Sequence, residues 1–494
     1  MNKHIHFIGI CGVAMSALAV AFHKEGWEVS GSDVGFFPPI SDYLKDNNIS
    51  FYPGWHPEKM TAKGDPDIVV VGNVAGSGNA EFIYTRKHNL NYKSYPEVIA
   101  EHIVQSKSLV CAGTYGKTST AALLTLILKN ADLNPTYMFG GLSANLPISA
   151  KIKLGLPGVA VAKPGWSVLE GDEYKTARWD SRPKFKLYSP THLLLTSVSW
   201  DHADIYPTEE TYFNAFKDLT AMLPAHGLIV ACADAPNMNK ILSSNTNGCK
   251  VITYGKNQTA DYYYFDVKQT KDGVNFKIQN KRRVSMDVTR HDSAESNKTY
   301  ELASPVLGEH MAENICGCFA MASELEIENS VILKTIAEFK GIKRRLEKRF
   351  DGDIIVYDDL GHSPAKAAAT LRTLRAIYPH NKIVAVFEPN TGNRKSQSIP
   401  GYDNAFSNAD EVIIPALTRI KINPKDIDPP FDGERLTEIA SKTNPKVMYI
   451  KDDDKLVEYI KNNLKEKDVV VFLGSHGFRG MIEKLIYLHQ PLRT

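Results

Sequence analysis

The chain has 494 residues, 43% hydrophobic and 23% charged, long enough for about three domains, each with its own core. A formal net charge of +2 with both signs well mixed excludes a polyanion-binding surface and makes nucleic acid a poor fit as partner. Six cysteines, at 11, 111, 232, 249, 316 and 318, form no CxxC and show no zinc spacing, which argues against a structural metal clip and fits a reducing, cytoplasmic compartment.

The first segment predicts a strand over His4–Ile10, a glycine turn, a helix over Val13–Lys24 and a strand over Trp27–Ser30, with a later buried strand at Ile68–Gly72. This β-α-β reading also explains the basic, apolar start. Gly9 and Gly12 interrupt the apolar run, so no export signal and no membrane span are expected. A second unit opens with a strand at Ser108–Ala112, a Gly-Thr-Tyr-Gly-Lys-Thr turn and a helix from Ser119 to Leu128, followed by strands at Ser167–Leu169 and His192–Thr196 and a helix from Glu209 to Leu223. Tyr262–Lys268 and Val274–Gln279 flank Lys271-Asp272-Gly273, the mark of a hairpin decorating this domain. A third unit begins near Phe339, with strands at Ile354–Tyr357, Ile383–Phe387, Glu411–Ile414 and Val469–Leu473. The alternation predicts an α/β chain of three domains: 1–105, 106–337 and 338–494.

Gly113-Thr114-Tyr115-Gly116-Lys117-Thr118, between a strand and a helix, is the strongest chemical signal. Backbone N–H groups and a helix N-terminus wrap phosphate oxygens, Lys117 reaches the β and γ phosphates, and Thr118 ligates Mg²⁺. Cys111 stands where the eight-residue phosphate-loop pattern has its first glycine. Gly9-x-x-Gly12 with Asp33 downstream lacks the third glycine of a dinucleotide fingerprint, but the diphosphate of another nucleotide uses the same physics. Two acidic clusters, Glu170-Gly171-Asp172-Glu173 and Asp201-His202-Ala203-Asp204, end buried strands, where ligands of open α/β sheets collect; carboxylate and imidazole there suit a divalent ion.

These blocks, together with Gly308-Glu309-His310-Met311-Ala312-Glu313-Asn314, Gly341-Ile342-Lys343-Arg344-Arg345-Leu346-Glu347 and Tyr357-Asp358-Asp359-Leu360-Gly361-His362-Ser363-Pro364, stand in an order that resembles the Mur ligase family from residue 4 to about 487. The resemblance implies a Rossmann-like UDP-binding domain, a central P-loop-type ATPase domain and a C-terminal Rossmann-like domain. It implies an ATP-dependent ligase that activates a UDP-linked muramyl carboxylate as an acyl phosphate for attack by an amine, with Mg²⁺ or Mn²⁺. By resemblance, Lys117, Glu170, His202 and Lys217 are catalytic, and Thr118, Glu170 and His202 hold metal. Gly113, Thr114, Gly116, Lys117, Thr118, Ser119, Asn314, Arg345, Asp359 and His362 bind ATP, and Gly9, Gly12, Asp33 and Asn73 bind the UDP substrate. Lys217, fifteen positions after His202, matches a lysine that several members carry as a carbamate; a stem packed on the helix's apolar stripe is the alternative. Gly31-Ser32-Asp33-(x)₄-Pro38-Pro39, Val71-Gly72-Asn73, 170–185 and 201–206 look closer to the branch that adds L-alanyl-γ-D-glutamyl-meso-diaminopimelate to UDP-N-acetylmuramate in peptidoglycan recycling. The sister branch adds L-alanine. Tyr115, Met311, Leu360 and Ser363 replace a histidine, an asparagine, an aromatic residue and a second histidine of the family pattern. An NAD-dependent oxidoreductase leaves Lys117 and Thr118 idle, and a nucleotide-regulated binding protein without catalysis does not need Lys117, Glu170 and His202 together.

Overall fold

Short β-branched runs alternating with helical stretches build three large sheets and one two-stranded sheet among the described residues of the computed structural model, which describes residues 3–36, 38, 40–73, 75–153, 165–200, 205–243, 247–282, 297–418, 428–444 and 446–490. The chain divides into two compact units, one of residues 1–268, 274–305 and 310–342 and one of 269–273, 306–309 and 343–494. No helix among the described residues is long and apolar enough to cross a membrane.

In the first unit, strands β1 (His4–Ile8), β2 (Glu28–Asp33), β3 (Ser50–Pro53), β4 (Ile68–Val71) and β5 (Tyr92–Ser94) form a parallel sheet in the order β3-β2-β1-β4-β5. The order reverses between β1 and β4, which leaves a crevice at their carboxyl ends. Helix α1 (Val13–Lys24) covers the sheet, and α2 (Ala80–Lys87), capped by Asn79 on the Phe82 N–H, follows β4.

The second sheet uses β6 (Lys107–Ala112), β7 (Thr136–Met138), β8 (Ala150–Lys151) and β9 (Trp166–Gly171). A separate hairpin, β10 (Lys175–Ala177) and β11 (Asp180–Pro183), leaves it after β9. It continues with β12 (His192–Leu195), β13 (Leu228–Cys232), β14 (Lys250–Gly255), β15 (Tyr262–Thr270), β16 (Gly273–Asn280) and β17 (Lys298–Ser304). The order is β17-β16-β15-β14-β13-β12-β6-β9-β7-β8, so the expected hairpin decoration extends the edge of the central sheet. The chain reverses direction across the sheet at β6, which aims the turn after β6 into a crevice beside the ends of β9 and β12. Helix α3 (Lys117–Asn130) follows that turn. Its Ala- and Leu-rich sequence has no Gly or Pro and favours helix, and every residue from Thr120 to Leu128 is buried. Helix α4 (Glu209–Ala221) starts at a Thr208 cap that accepts from Thr211 N. Its Tyr212, Phe216 and Leu219 are fully buried, with Phe216 5.8 Å from Phe185; truncating such a ring costs about 3–5 kcal/mol. Helix α5 spans Glu309–Glu324.

The second unit holds the sheet β18 (Glu347–Asp351), β19 (Ile355–Asp359), β20 (Ile383–Glu388), β21 (Glu411–Pro415), β22 (Lys446–Ile450) and β23 (Val469–Gly474), in the order β18-β19-β23-β20-β21-β22. Only β18 runs antiparallel. Along β20, Ile383, Ala385 and Phe387 join one core with Leu371 of helix α6 (Pro364–Ile377), while Val384 and Val386 join the other with Leu456 and Leu485. That alternation is the period of a strand buried on both faces.

Candidate active site

The turn after β6 takes its shape from its neighbours. Gly113 adopts φ 135°, and a Cβ there would lie 2.1 Å from Thr196 Oγ1, so no other residue fits. Thr114 N donates to Ser197 O at 2.8 Å, Thr114 Oγ1 to Ser199 O at 2.7 Å, and Thr196 Oγ1 to Tyr115 O at 2.5 Å. Gly116 is left-handed at φ 86° and begins α3 without a side-chain cap; a Cβ on it would meet Asn314 Oδ1 at 2.3 Å. The helix therefore starts at Lys117, two residues before the expected Ser119, and its first N–H groups keep their capacity for an anion.

Lys117 donates to Gly113 O at 2.7 Å and pairs with Glu173, at 3.2 Å to Oε1 and 2.9 Å to Oε2. Burial opposes its charge, yet Glu173 and Asp172 hold the ammonium's pKa above its ordinary value. Burial likewise opposes ionisation of Asp172, but Lys184 and Lys117 keep its carboxyl below the usual range. Thr118 Oγ1 donates to Glu170 Oε1 at 2.9 Å, and Gly140 N to Glu170 Oε2 at 2.6 Å. Thr118 and Glu170 thus bring hard oxygen donors together at the ends of β6 and β9, a donor set suited to Mg²⁺ or Mn²⁺. His202, with Asp201, Ala203 and Asp204, lies outside the described residues, as does Pro39. Ser119 is half-buried beside the loop. Lys217 is half-buried on α4, one turn from buried Phe213. Met311 is buried with its Sδ 3.8 Å from Asn314 Nδ2.

At the first sheet, Gly9 turns at φ 89°, and Gly9 N and Ile10 N both donate to Ser32 O. Asp33 accepts from Cys11 N at 2.9 Å and from Val34 N at 2.7 Å, so it braces the Gly9–Gly12 turn. Burial and Asp33 push the Cys11 thiol up to about 12. Asn73 O accepts from Arg178 Nε at 2.9 Å. Arg178 sits between β10 and β11 with Trp179, whose ring stacks on Phe82 and meets Tyr92 edge-on, both at 5.5 Å.

In the second unit, Asp359 accepts from Leu346 N at 2.7 Å and from Thr370 Oγ1 at 3.1 Å. Arg344 donates to Asp358 and to the carbonyls of Gly474 and His476, which ties the 343–347 loop to the end of β23. Arg345 is left exposed. His362 Nδ1 donates to Leu360 O at 2.8 Å, and Ser363 caps α6 through Lys366 N, a role that the hydroxyl fills and a histidine ring does not.

Sequence reasoning did not assign Glu173, Tyr212, Arg344 or Glu81. Glu173 and Tyr212 form part of the hydrogen-bond network around the Gly113–Thr118 turn, and only the acidic run at 170–173 hinted at it. Glu81 is a buried carboxylate beneath the Gly9 turn, accepting from Tyr52 OH at 2.7 Å and His56 N at 2.8 Å. A lone Glu in a helical stretch carries no signal of that.

Profiles of three Mur ligase domains match in order: the Mur ligase family catalytic domain over 4–107, the Mur ligase middle domain over 111–322 and the Mur ligase glutamate ligase domain over 344–476. A UDP-N-acetylmuramate–L-alanyl-gamma-D-glutamyl-meso-2,6-diaminoheptandioate ligase of Haemophilus influenzae is 28% identical over 494 residues, 98% of each chain. A UDP-N-acetylmuramate–L-alanine ligase of Clostridium kluyveri is 31% identical over 476 residues, 96% of each. The crystal structure of the Thermotoga maritima UDP-N-acetylmuramate–alanine ligase shares the fold, with a TM-score of 0.76 at 21% identity over 99% of both chains. The match is continuous from the first sheet to the last, and the chain belongs to the Mur ligase family of ATP-dependent amide-bond ligases.

Proposed function

We propose that this ligase joins the carboxylate of UDP-N-acetylmuramate to the amine of L-alanyl-γ-D-glutamyl-meso-diaminopimelate, in the cytoplasm, as a step of peptidoglycan recycling. The observation that carries the chemistry is the phosphate loop, where Lys117 and the Thr118–Glu170 pair converge within one crevice. A muramyl carboxylate oxygen attacks the γ-phosphorus of ATP, the bond to the β-phosphate oxygen breaks and ADP leaves. The peptide amine attacks the acyl carbon, the C–O bond to phosphate breaks, and inorganic phosphate and a proton are released. Lys117 and the loop N–H groups stabilise the charge on the transferring phosphoryl oxygens. Thr118, Glu170 and His202 would hold Mg²⁺ or Mn²⁺, which when bound neutralises phosphate charge.

Asn314 supports nucleotide binding through its contact with Gly116, and Ser119 through its place on the loop. Arg345, Asp359 and His362 are assigned to the nucleotide, and Gly9, Gly12, Asp33 and Asn73 to the UDP moiety, in domains 1–105, 106–337 and 338–494. Similarity to the H. influenzae peptide ligase over 98% of the chain and the blocks at 31–39, 71–73, 170–185 and 201–206 support the peptide acceptor. The 31% identity to an L-alanine ligase favours the second reading, L-alanine as acceptor. Phosphate release from ATP and UDP-N-acetylmuramate decides between them with the two acceptors at matched concentration. Faster turnover is expected with the tripeptide. Faster turnover with L-alanine moves the protein to the second reading, and release with neither removes both.

A further inference from the structure

We propose that Glu173 is a positioning residue of the ligase, a fixed anionic partner that aims Lys117 over the phosphate loop and weakens retention of the spent nucleotide. The proposal rests on the reading of that loop as the ATP site. Strand β9 ends at Gly171, and the chain then turns so that carboxylates three residues apart face different groups. Glu170 accepts from Thr118 Oγ1, while Glu173 meets the Lys117 ammonium at 2.9 Å. Asp172, between them, is committed to Lys184.

Glu173 is held in place. Its side chain is 1% exposed, Tyr212 OH lies 3.3 Å from Oε1, and its backbone carbonyl accepts from Tyr206 OH at 2.6 Å. Tyr212 OH is also 2.9 Å from Thr114 Oγ1, so the carboxylate and the loop share one brace on α4. A carboxylate anchored in this way stays beside Lys117 when the lysine contacts a phosphate. It orients the ammonium, and it also repels every phosphate charge bound there. A merely structural ion pair lacks the second effect: its loss loosens the loop and weakens nucleotide binding.

Titration calorimetry of ADP against the full-length wild type, Glu173→Gln and Glu173→Asp separates these roles, with steady-state kinetics on the same preparations. Glu173→Gln removes the charge and keeps the shape, and is expected to bind ADP about tenfold tighter, with lower KM for ATP and lower kcat. Glu173→Asp keeps the charge and is expected to stay within about twofold of wild-type ADP affinity. Unchanged or weaker ADP binding by Glu173→Gln overturns the proposal, as do equal effects of Gln and Asp. Should Glu173→Gln not fold, Glu173→Asp decides alone: near-wild-type ADP affinity with a reduced kcat supports the assignment, and altered affinity or unchanged kcat defeats it. A wild type that fails to bind ADP defeats the underlying reading of the loop instead.

Discussion

The Glu170 carboxylate faces two neighbours at once, the Thr118 hydroxyl on one oxygen and the Gly140 N–H on the other. Gln in its place can keep an oxygen toward Gly140 N but carries no charge, so Glu170→Gln separates metal binding from loop shape. The Mg²⁺ or Mn²⁺ concentration for half-maximal activity is expected to rise by about tenfold or more, since a divalent ion loses one anionic ligand. Melting temperature should change little. An unmoved metal titration leaves Glu170 a structural residue. The same titration reads Lys217, half-buried beside Phe213. As a carbamate it adds an anion, so removal of CO₂ should cut activity and bicarbonate restore it, with no such response in Lys217→Ala. Indifference to CO₂ leaves the lysine with its stem packed on the apolar stripe.

At the scale of elements, the strands of the second sheet carry the candidate site at their carboxyl ends and packing at the other. His192 opens β12 there, with Nδ1 2.9 Å from Thr191 Oγ1 and its ring 4.8 Å from Trp166. Burial, helped by Lys107 and His226, lowers its pKa from 6.5 to about 4. The unfolded chain therefore binds a proton that the native protein refuses, so stability present above pH 6.5 drains away as pH falls toward 4. Discounted for partial exposure, the loss is about 1–3 kcal/mol. Urea unfolding at about pH 7 and about pH 4.5 checks this, because His192→Gln cannot charge and should lose that much less stability. Equal acid losses in the two proteins clear His192 of the effect.

Elements with a strong local signature were legible in the sequence. Helix α1 spans Val13–Lys24 as its flanking Gly12 and Gly26 suggest. Strand β13, Leu228–Cys232, was not read from the sequence, although it is as apolar and as fully buried as β4 and β23, which were. β7, β8, β10 and β11 have two to four residues each and owe their form to tertiary pairing.

Across the whole molecule, the order of motifs is a one-dimensional property and was legible, as the three matched domains bear out. Partners brought in from far along the chain were not. Lys117 and Glu173 lie 56 residues apart, and Ser32 and Glu81 lie 49 apart, and no local pattern links them. The β10–β11 hairpin makes another such reach, since Arg178 Nε and Asn73 O are separated by 105 residues. It leaves the second sheet just after Glu173 and carries Trp179 onto Phe82 and Tyr92 beside the first. Within this unit it joins the loop after β4, the side proposed for the UDP substrate, to the acidic run beside the Gly113–Thr118 turn. Trp179→Ala removes a partly exposed stack worth about 1 kcal/mol beyond its buried area. KM for UDP-N-acetylmuramate is expected to rise by about fivefold, while ADP affinity stays within about twofold, because no phosphate-loop contact is lost. Arg178→Ala should act in the same direction by freeing Asn73 O. If the substrate KM does not move in either variant, the loop after β4 is not part of the substrate site. If ADP affinity falls in step with it, the hairpin braces the phosphate loop as well, and the division of labour between the two crevices is wrong.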